Sequence, residues 1–173
     1  MKFNKKISIV LSALMISCTA FAACGDSDNA DSDTANANAN VSAAADEAVD
    51  VTAVADSLKN DITYKDTLTE LSTEMIQRLF NLTEGTDYKA GKVYVGSGGA
   101  TAEEIACFEA NDESGAAKIK ETLENRIDSQ KTAFENYQPQ EMDKLNSPVL
   151  VTKGNYVFMC ISDDNAKAQE IIG

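Results

Sequence analysis

The sequence predicts an α+β fold: short N-terminal helices, then β-β-α-β-β-α, with a four-stranded, mostly antiparallel sheet packed by one long amphipathic helix. Three observations lead there. Two pairs of short segments rich in Val, Ile, Tyr and Phe are each joined by a glycine-containing turn, at 87–110 and 147–162. Between them, residues 112–137 repeat their apolar residues at helical spacing. The leading 50 residues differ so much in composition that the folded part is confined to 51–173.

The elements follow in order. "VTAVADSLKNDI" (51–62) reads as a short helix with Val54, Leu58 and Ile62 on one face. "STEMIQRLFNL" (72–82) reads as a second, capped by Ser72, with Met75, Ile76, Leu79 and Phe80 inward. The link 63–71 is ambiguous between helix and extended chain. "DYKAGKVYVG" and "EEIACFEA" are strands around the loose turn "SGGATA". Thr101-x-x-Glu104 has capping-box spacing and argues for a helix start. The short run Ile105 to Ala110, ending at Asn111-Asp112, argues for a strand, which is the reading adopted.

In the long helix Ala116, Ile119, Leu123, Ile127, Phe134 and Tyr137 fall within an arc of roughly 100°, the width of a core-facing stripe. Pro139 ends it. "SPVLVTKGNYVFMCIS" gives two strands around Lys153-Gly154-Asn155, and "DDNAKAQEII" closes the chain as a helix capped by Asp163 or Asp164. Each hairpin ends near a cysteine and passes through acidic residues into a helix, a weak internal echo rather than a repeat.

Residues 1–23 have the layout of an export signal. Lys2, Lys5 and Lys6 precede the apolar run "ISIVLSALMI", which is shorter than the roughly 20 residues a membrane-spanning helix needs. Ala22-Ala23-Cys24-Gly25 supplies the small residues that acylation of a cysteine requires, so Cys24 is the expected lipid attachment site. Ala20-Phe21-Ala22 offers the alternative of cleavage and secretion. Residues 24–50 carry seven acids, no base and no aromatic residue, the composition of a disordered acidic tether. A tether of this kind makes sense when its start is fixed, which favours the anchor at the outer face of the cytoplasmic membrane. The "DSDNADSD" run lacks the glycine and glutamate of a helix–loop–helix calcium site.

Function is bounded mainly by exclusion. Residues 24–173 hold 12 Lys+Arg against 28 Asp+Glu, which argues against nucleic acid and against lying flat on anionic lipid. The sequence has no histidine, which removes Ser-His-Asp and Cys-His nucleophile pairs and most catalytic zinc sites. No catalytic residue, metal ligand set or cofactor motif is recognised. "GSGG" (96–99) reads as a hairpin turn rather than a phosphate nest. Cys107 and Cys160 could form one disulfide or sit as buried apolar fillers. Arg126 and Gln130 project into or beside the apolar arc of the long helix, with Tyr137 at its end. Glu103 or Glu104 would partner Arg126, either as an ion pair seating the helix on the sheet or as a polar pocket for an acidic ligand.

"AEEIACFEA", "RIDSQKTAFENYQPQE" and "GNYVFMCISDD" together resemble the family catalogued as domain of unknown function 4358, small bacterial lipoproteins found largely in Gram-positive anaerobes. Glu104, Ile105 and Phe108, then Arg126, Gln130, Phe134 and Tyr137, then Pro139 and Gly154-Asn155-Tyr156 carry the likeness. It implies a lipoprotein context and an α+β domain, and no assigned activity, substrate or cofactor. The expected function is therefore a non-enzymatic, membrane-anchored domain that binds an envelope protein or a small ligand. The alternatives are a carboxylate-based cell-wall glycan hydrolase and a structural or inhibitory surface domain.

Overall fold

The computed structural model describes residues 48–173. The export signal, Cys24 and all but the end of the acidic tether lie outside them. Asp50 is the N-cap of the first helix, α1 (Val51–Asp61), its carboxylate accepting from the N–H groups of Thr52 and Ala53. α1 buries Val51, Ala55 and Leu58, with Ile62 buried just past its end.

The sheet has five strands, not the expected four. The extra one, β1 (Leu68–Glu70), lies in the link that the sequence left ambiguous and pairs antiparallel with β2 (Tyr88–Gly96). Three residues are too few to show an alternation of polar and apolar side chains, so only pairing defines this strand. β3 (Glu104–Ala110), β4 (Val149–Lys153) and β5 (Tyr156–Ile161) complete an all-antiparallel sheet in the order β1-β2-β3-β5-β4. The two hairpins lie side by side with β3 and β5 in the centre. α3 (Glu113–Tyr137) crosses one face to reach the far edge, where β4 starts, and β5 then folds back into the gap.

Both faces of the sheet are covered, which the sequence reading did not foresee. Ala106 and Phe108 of β3, with Val157, Met159 and Ile161 of β5, pack with Ala116, Ile119, Leu123 and Ile127 of α3. Ile105, Cys107, Phe158 and Cys160 face the other way, against Val51, Ala55 and Leu58 of α1 and Ala168 and Ile172 of α5 (Asn165–Ile172). Two covered faces explain why β3 and β5 are buried almost throughout rather than alternately. They also show why the echo between the hairpins stops at the helices: α3 and α5 end on opposite faces. Asp164, not Asp163, caps α5, accepting from the Lys167 N–H at 2.9 Å.

α2 (Thr73–Phe80) is capped by Ser72 as expected, but it buries only Ile76 and Phe80. Met75 and Leu79 are exposed. An eight-residue helix at the margin of the sheet has one narrow stripe to bury, so the second pair of apolar residues is left facing outward. After α3, Pro139 opens a 3-10 turn (Pro139–Glu141) that runs into a short helix, α4 (Met142–Asn146), which the sequence reading missed.

A register shift between Tyr88 and Ala90 reverses the side-chain phase of β2. It turns Tyr88 to the α3 side, where its ring meets Phe108 edge-on at 5.0 Å. Gly91 lies opposite Phe108 in the ladder, and a Cβ there would fall 2.5 Å from the Phe108 ring. Gly91→Ala should therefore lower stability by about 1–3 kcal/mol in urea unfolding, the cost of overpacking a filled core. An unchanged unfolding midpoint would show that this ring can move aside.

Candidate functional site

Glu103 and Glu104 stand at the entrance to β3, and their side chains leave the backbone on opposite sides. Glu104 shares the α3 face with Ala106 and Phe108, and its side chain is 1 % exposed. Burial of a lone carboxylate would be costly, and α3 supplies the answer. Arg126 donates from Nε at 3.2 and 3.3 Å and from Nη2 at 2.8 Å, a forked contact with the carboxylate. Gln130, one turn later on the same face, donates from Nε2 to the same Glu104 oxygen at 2.8 Å. Burial pushes the Glu104 carboxyl up, Arg126 and Gln130 pull it back, and burial prevails, so it lies above the ordinary glutamate value.

Glu103 turns the other way. Its carboxylate accepts from the backbone N–H groups of Lys65 (2.9 and 3.1 Å) and Asp66 (2.9 Å) and from Lys144 Nζ at 2.9 Å. Lys144, on α4, is fully buried, and it also reaches Glu141 at 2.9 Å. Glu141 in turn accepts from the Ala102 N–H at 3.0 Å. Burial pulls the Lys144 ammonium down, but hydrogen bonds and charge from Glu141 and Glu103 outweigh it, so its pKa lies above the ordinary lysine value. This cluster joins the segment before β1, the start of β3 and α4. Asp66 extends it to the glycine-rich turn, accepting from the Gly98 N–H at 2.7 Å and from the Ser97 hydroxyl. "GSGG" is thus a hairpin turn whose free N–H already holds an internal carboxylate, with Gly99 at φ +65° where a side chain would be strained.

Above the Glu104 ion pair lies a cleft of about 280 Å³ between the β2–β3 turn and α3. Val95, Thr101 and Glu104 form one wall, Arg126, Gln130 and Phe134 the other, and Leu79 of α2 closes one side. Among the described residues two buried polar atoms at this cleft have no hydrogen-bond partner, Gln130 Oε1 and Thr101 Oγ1. The unpartnered Thr101 hydroxyl agrees with the strand reading: it caps no helix.

The sequence thus brings Glu104, Arg126 and Gln130 together as expected and settles the choice of partner for Arg126 on Glu104. Tyr137 does not join them; it is 65 % exposed. At about 1.5 Å per residue the 25-residue α3 outruns the seven-residue β3, so its last turn overhangs the sheet. The Lys144–Glu141 half of the charged cluster was missed. Glu141-x-x-Lys144 after Pro139 has the i,i+3 spacing of a helical pair, the one signal that could have found it.

Cys107 and Cys160 are free, buried thiols on the α1 side of the sheet. Cys107 pairs with Phe158 and Ile105 with Cys160, so the two cysteines are diagonal neighbours, about 7–8 Å apart at Cα and beyond the reach of an unstrained disulfide. Burial pushes both thiols up, and Tyr64 packs its hydroxyl 3.6 Å from Cys160 Sγ. The filler reading, not the disulfide, describes them. Among the described residues no group of three or more His, Cys, Asp or Glu side chains could hold a metal ion, and no helix is long and apolar enough to cross a membrane.

Fold and site together define a small α+β domain with a sheet covered on both faces and a polar cleft over an internal ion pair. The chain belongs to the DUF4358 family, a domain of unknown function, whose model matches residues 60–162. That span includes Glu103, Glu104, Arg126, Gln130, Glu141 and Lys144. No curated protein and no solved structure matches the chain.

Arg126→Met should cost about 3 kcal/mol, the lower end for breaking a buried pair, because the Arg126 side chain is itself 26 % exposed. The loss should depend on pH with a definite sign. A carboxyl whose pKa is raised in the folded state binds more protons there than when unfolded, so its contribution falls as pH rises through that interval. Without Arg126 the Glu104 value rises further. Urea unfolding should therefore show a large loss at about pH 8 that shrinks toward about pH 5. A loss independent of pH would mean that the Glu104 carboxylate finds another partner.

Proposed function

We propose that this chain is an exported domain held at the outer face of the cytoplasmic membrane by a lipid on Cys24. In this reading it binds a small ligand or an envelope partner in the cleft beside Arg126 and does not transform it. The observation that carries the binding half is a contrast within that cleft. Its carboxylates are already held by cations, while among the described residues Gln130 Oε1 and Thr101 Oγ1 are without partners at its wall. Such a wall holds two buried polar atoms with an unmet hydrogen-bonding need and little free acid or base.

The hydrolase alternative needs two carboxylates facing one space at about 5–9.5 Å, one of them free to give up its proton. Glu103 and Glu104 both border the cleft but leave the strand on opposite sides, and each carboxylate is held by at least one cation. A structural surface domain would need no cleft of this kind. The location rests on the sequence: a charged, then apolar leader, small residues before Cys24, and the acidic stretch 24–50 that separates the cysteine from the domain.

Cys24→Ala should move the protein from the membrane fraction to the medium. Unchanged retention in the membrane fraction would refute the lipid anchor.

A further inference from the structure

The chain has 28 acidic and 15 basic residues, and only two of the basic ones are arginines, Arg78 and Arg126. Both line one shallow cleft of about 340 Å³ between the end of α2 and the middle of α3. It adjoins the cleft over Glu104 and shares Leu79, Arg126 and Ser129 with it. In a chain of net charge −13, no acidic side chain among the described residues lines it, and its other polar members are amides and hydroxyls such as Asn81, Asn125 and Ser129. Two arginines thus line one cleft, and the carboxylate that Arg126 holds, Glu104, belongs to the adjoining one.

Neither guanidinium is fully occupied. Among the described residues Arg78 forms no salt bridge. Arg126 gives Nε and Nη2 to Glu104, and among the described residues its Nη1 makes no hydrogen bond. Glu104 also fixes which way Gln130 points. Because the amide nitrogen must face the carboxylate, the amide oxygen is the atom turned away, buried and unpartnered. Arg126 Nη2 and Gln130 Nε2 meet at one Glu104 oxygen, and both residues line the cleft above it.

Resting on the reading of this cleft as a binding site, we propose that the two joined clefts take a carboxylate ligand with an adjacent amide N–H, as in an N-acyl amino acid or the C-terminus of a peptide. Arg78 and Arg126 hold the carboxylate, whose planar pair of oxygens matches the guanidinium fork. Gln130 Oε1 accepts the N–H, which removes the unmet need of a buried acceptor. Leu79, exposed on α2, and Phe134 cover the apolar part of the ligand.

The small number of arginines makes the test direct. In the full-length chain labelled with nitrogen-15, the arginine Nε–Hε region contains one signal for each of the two residues. N-acetylglycine should shift both signals saturably, with a midpoint about tenfold lower than that of acetate, which lacks the N–H. Arg78→Gln, an exposed change away from the ion pair, should raise the N-acetylglycine midpoint about tenfold. Shifts no larger than those from equal sodium chloride, or an unaltered midpoint in Arg78→Gln, would overturn the proposal. Equal midpoints for N-acetylglycine and acetate would overturn the role of Gln130. Saturable shifts with inorganic phosphate but not with N-acetylglycine would overturn the carboxylate class while leaving the cleft a binding site. The membrane anchor is read separately by the fate of Cys24→Ala.

Discussion

Two consecutive carboxylates at the mouth of β3 hold this fold together from both sides. A strand sends neighbouring side chains to opposite faces, so Glu103 and Glu104 meet different helices although they are adjacent in sequence. Glu104 receives Arg126 and Gln130 from α3 and fixes how the long helix lies on the sheet. Glu103 receives Lys144 from α4 and two backbone N–H groups from the segment before β1. The chain leaving α3 and the chain entering β1 are thereby pinned to the same point of the central strand.

Buried ion pairs of this kind are a poor source of net stability, because removing two charges from water costs about what their attraction returns. Their value here is positional. An apolar contact between α3 and the sheet would tolerate sliding by a turn; a forked arginine contact backed by Gln130 does not. The cleft follows from that constraint. α3 is held where its polar residues line the sheet margin, and the β2–β3 turn is held by Asp66. The unpartnered oxygen of Gln130 results directly from its commitment to Glu104.

Much of this was legible in the sequence, for reasons of length and periodicity. The long helix, both hairpins, the caps at Ser72 and Asp164, and the meeting of Arg126 with a glutamate at the start of β3 all have local or periodic signals. What escaped lacks such signals. β1 is three residues long and exists through its partner Gly96–Tyr94. α4 is five residues long, and its one unusual feature is a lysine whose burial depends on two glutamates, one of them 41 positions away. Met75 and Leu79 follow the apolar spacing of α2 but lie beyond the sheet that would cover them, and Tyr137 lies beyond it on α3. Periodicity states which face of a helix is apolar; it does not state how far the opposing surface extends.

The account stands or falls on whether Glu103 and Glu104 act on separate parts of the fold. Hydrogen exchange of Glu103→Gln and Glu104→Gln, two changes that keep shape and remove charge, measures this directly. Glu103→Gln should speed exchange at the Lys65 and Asp66 amides and in α4 while leaving the middle of α3 protected. Glu104→Gln should loosen α3 around Arg126 and Gln130 and leave residues 65 and 66 protected. The same pattern in both variants would contradict the account and would mean that one cooperative core, not two opposed clamps, sets the geometry of the cleft.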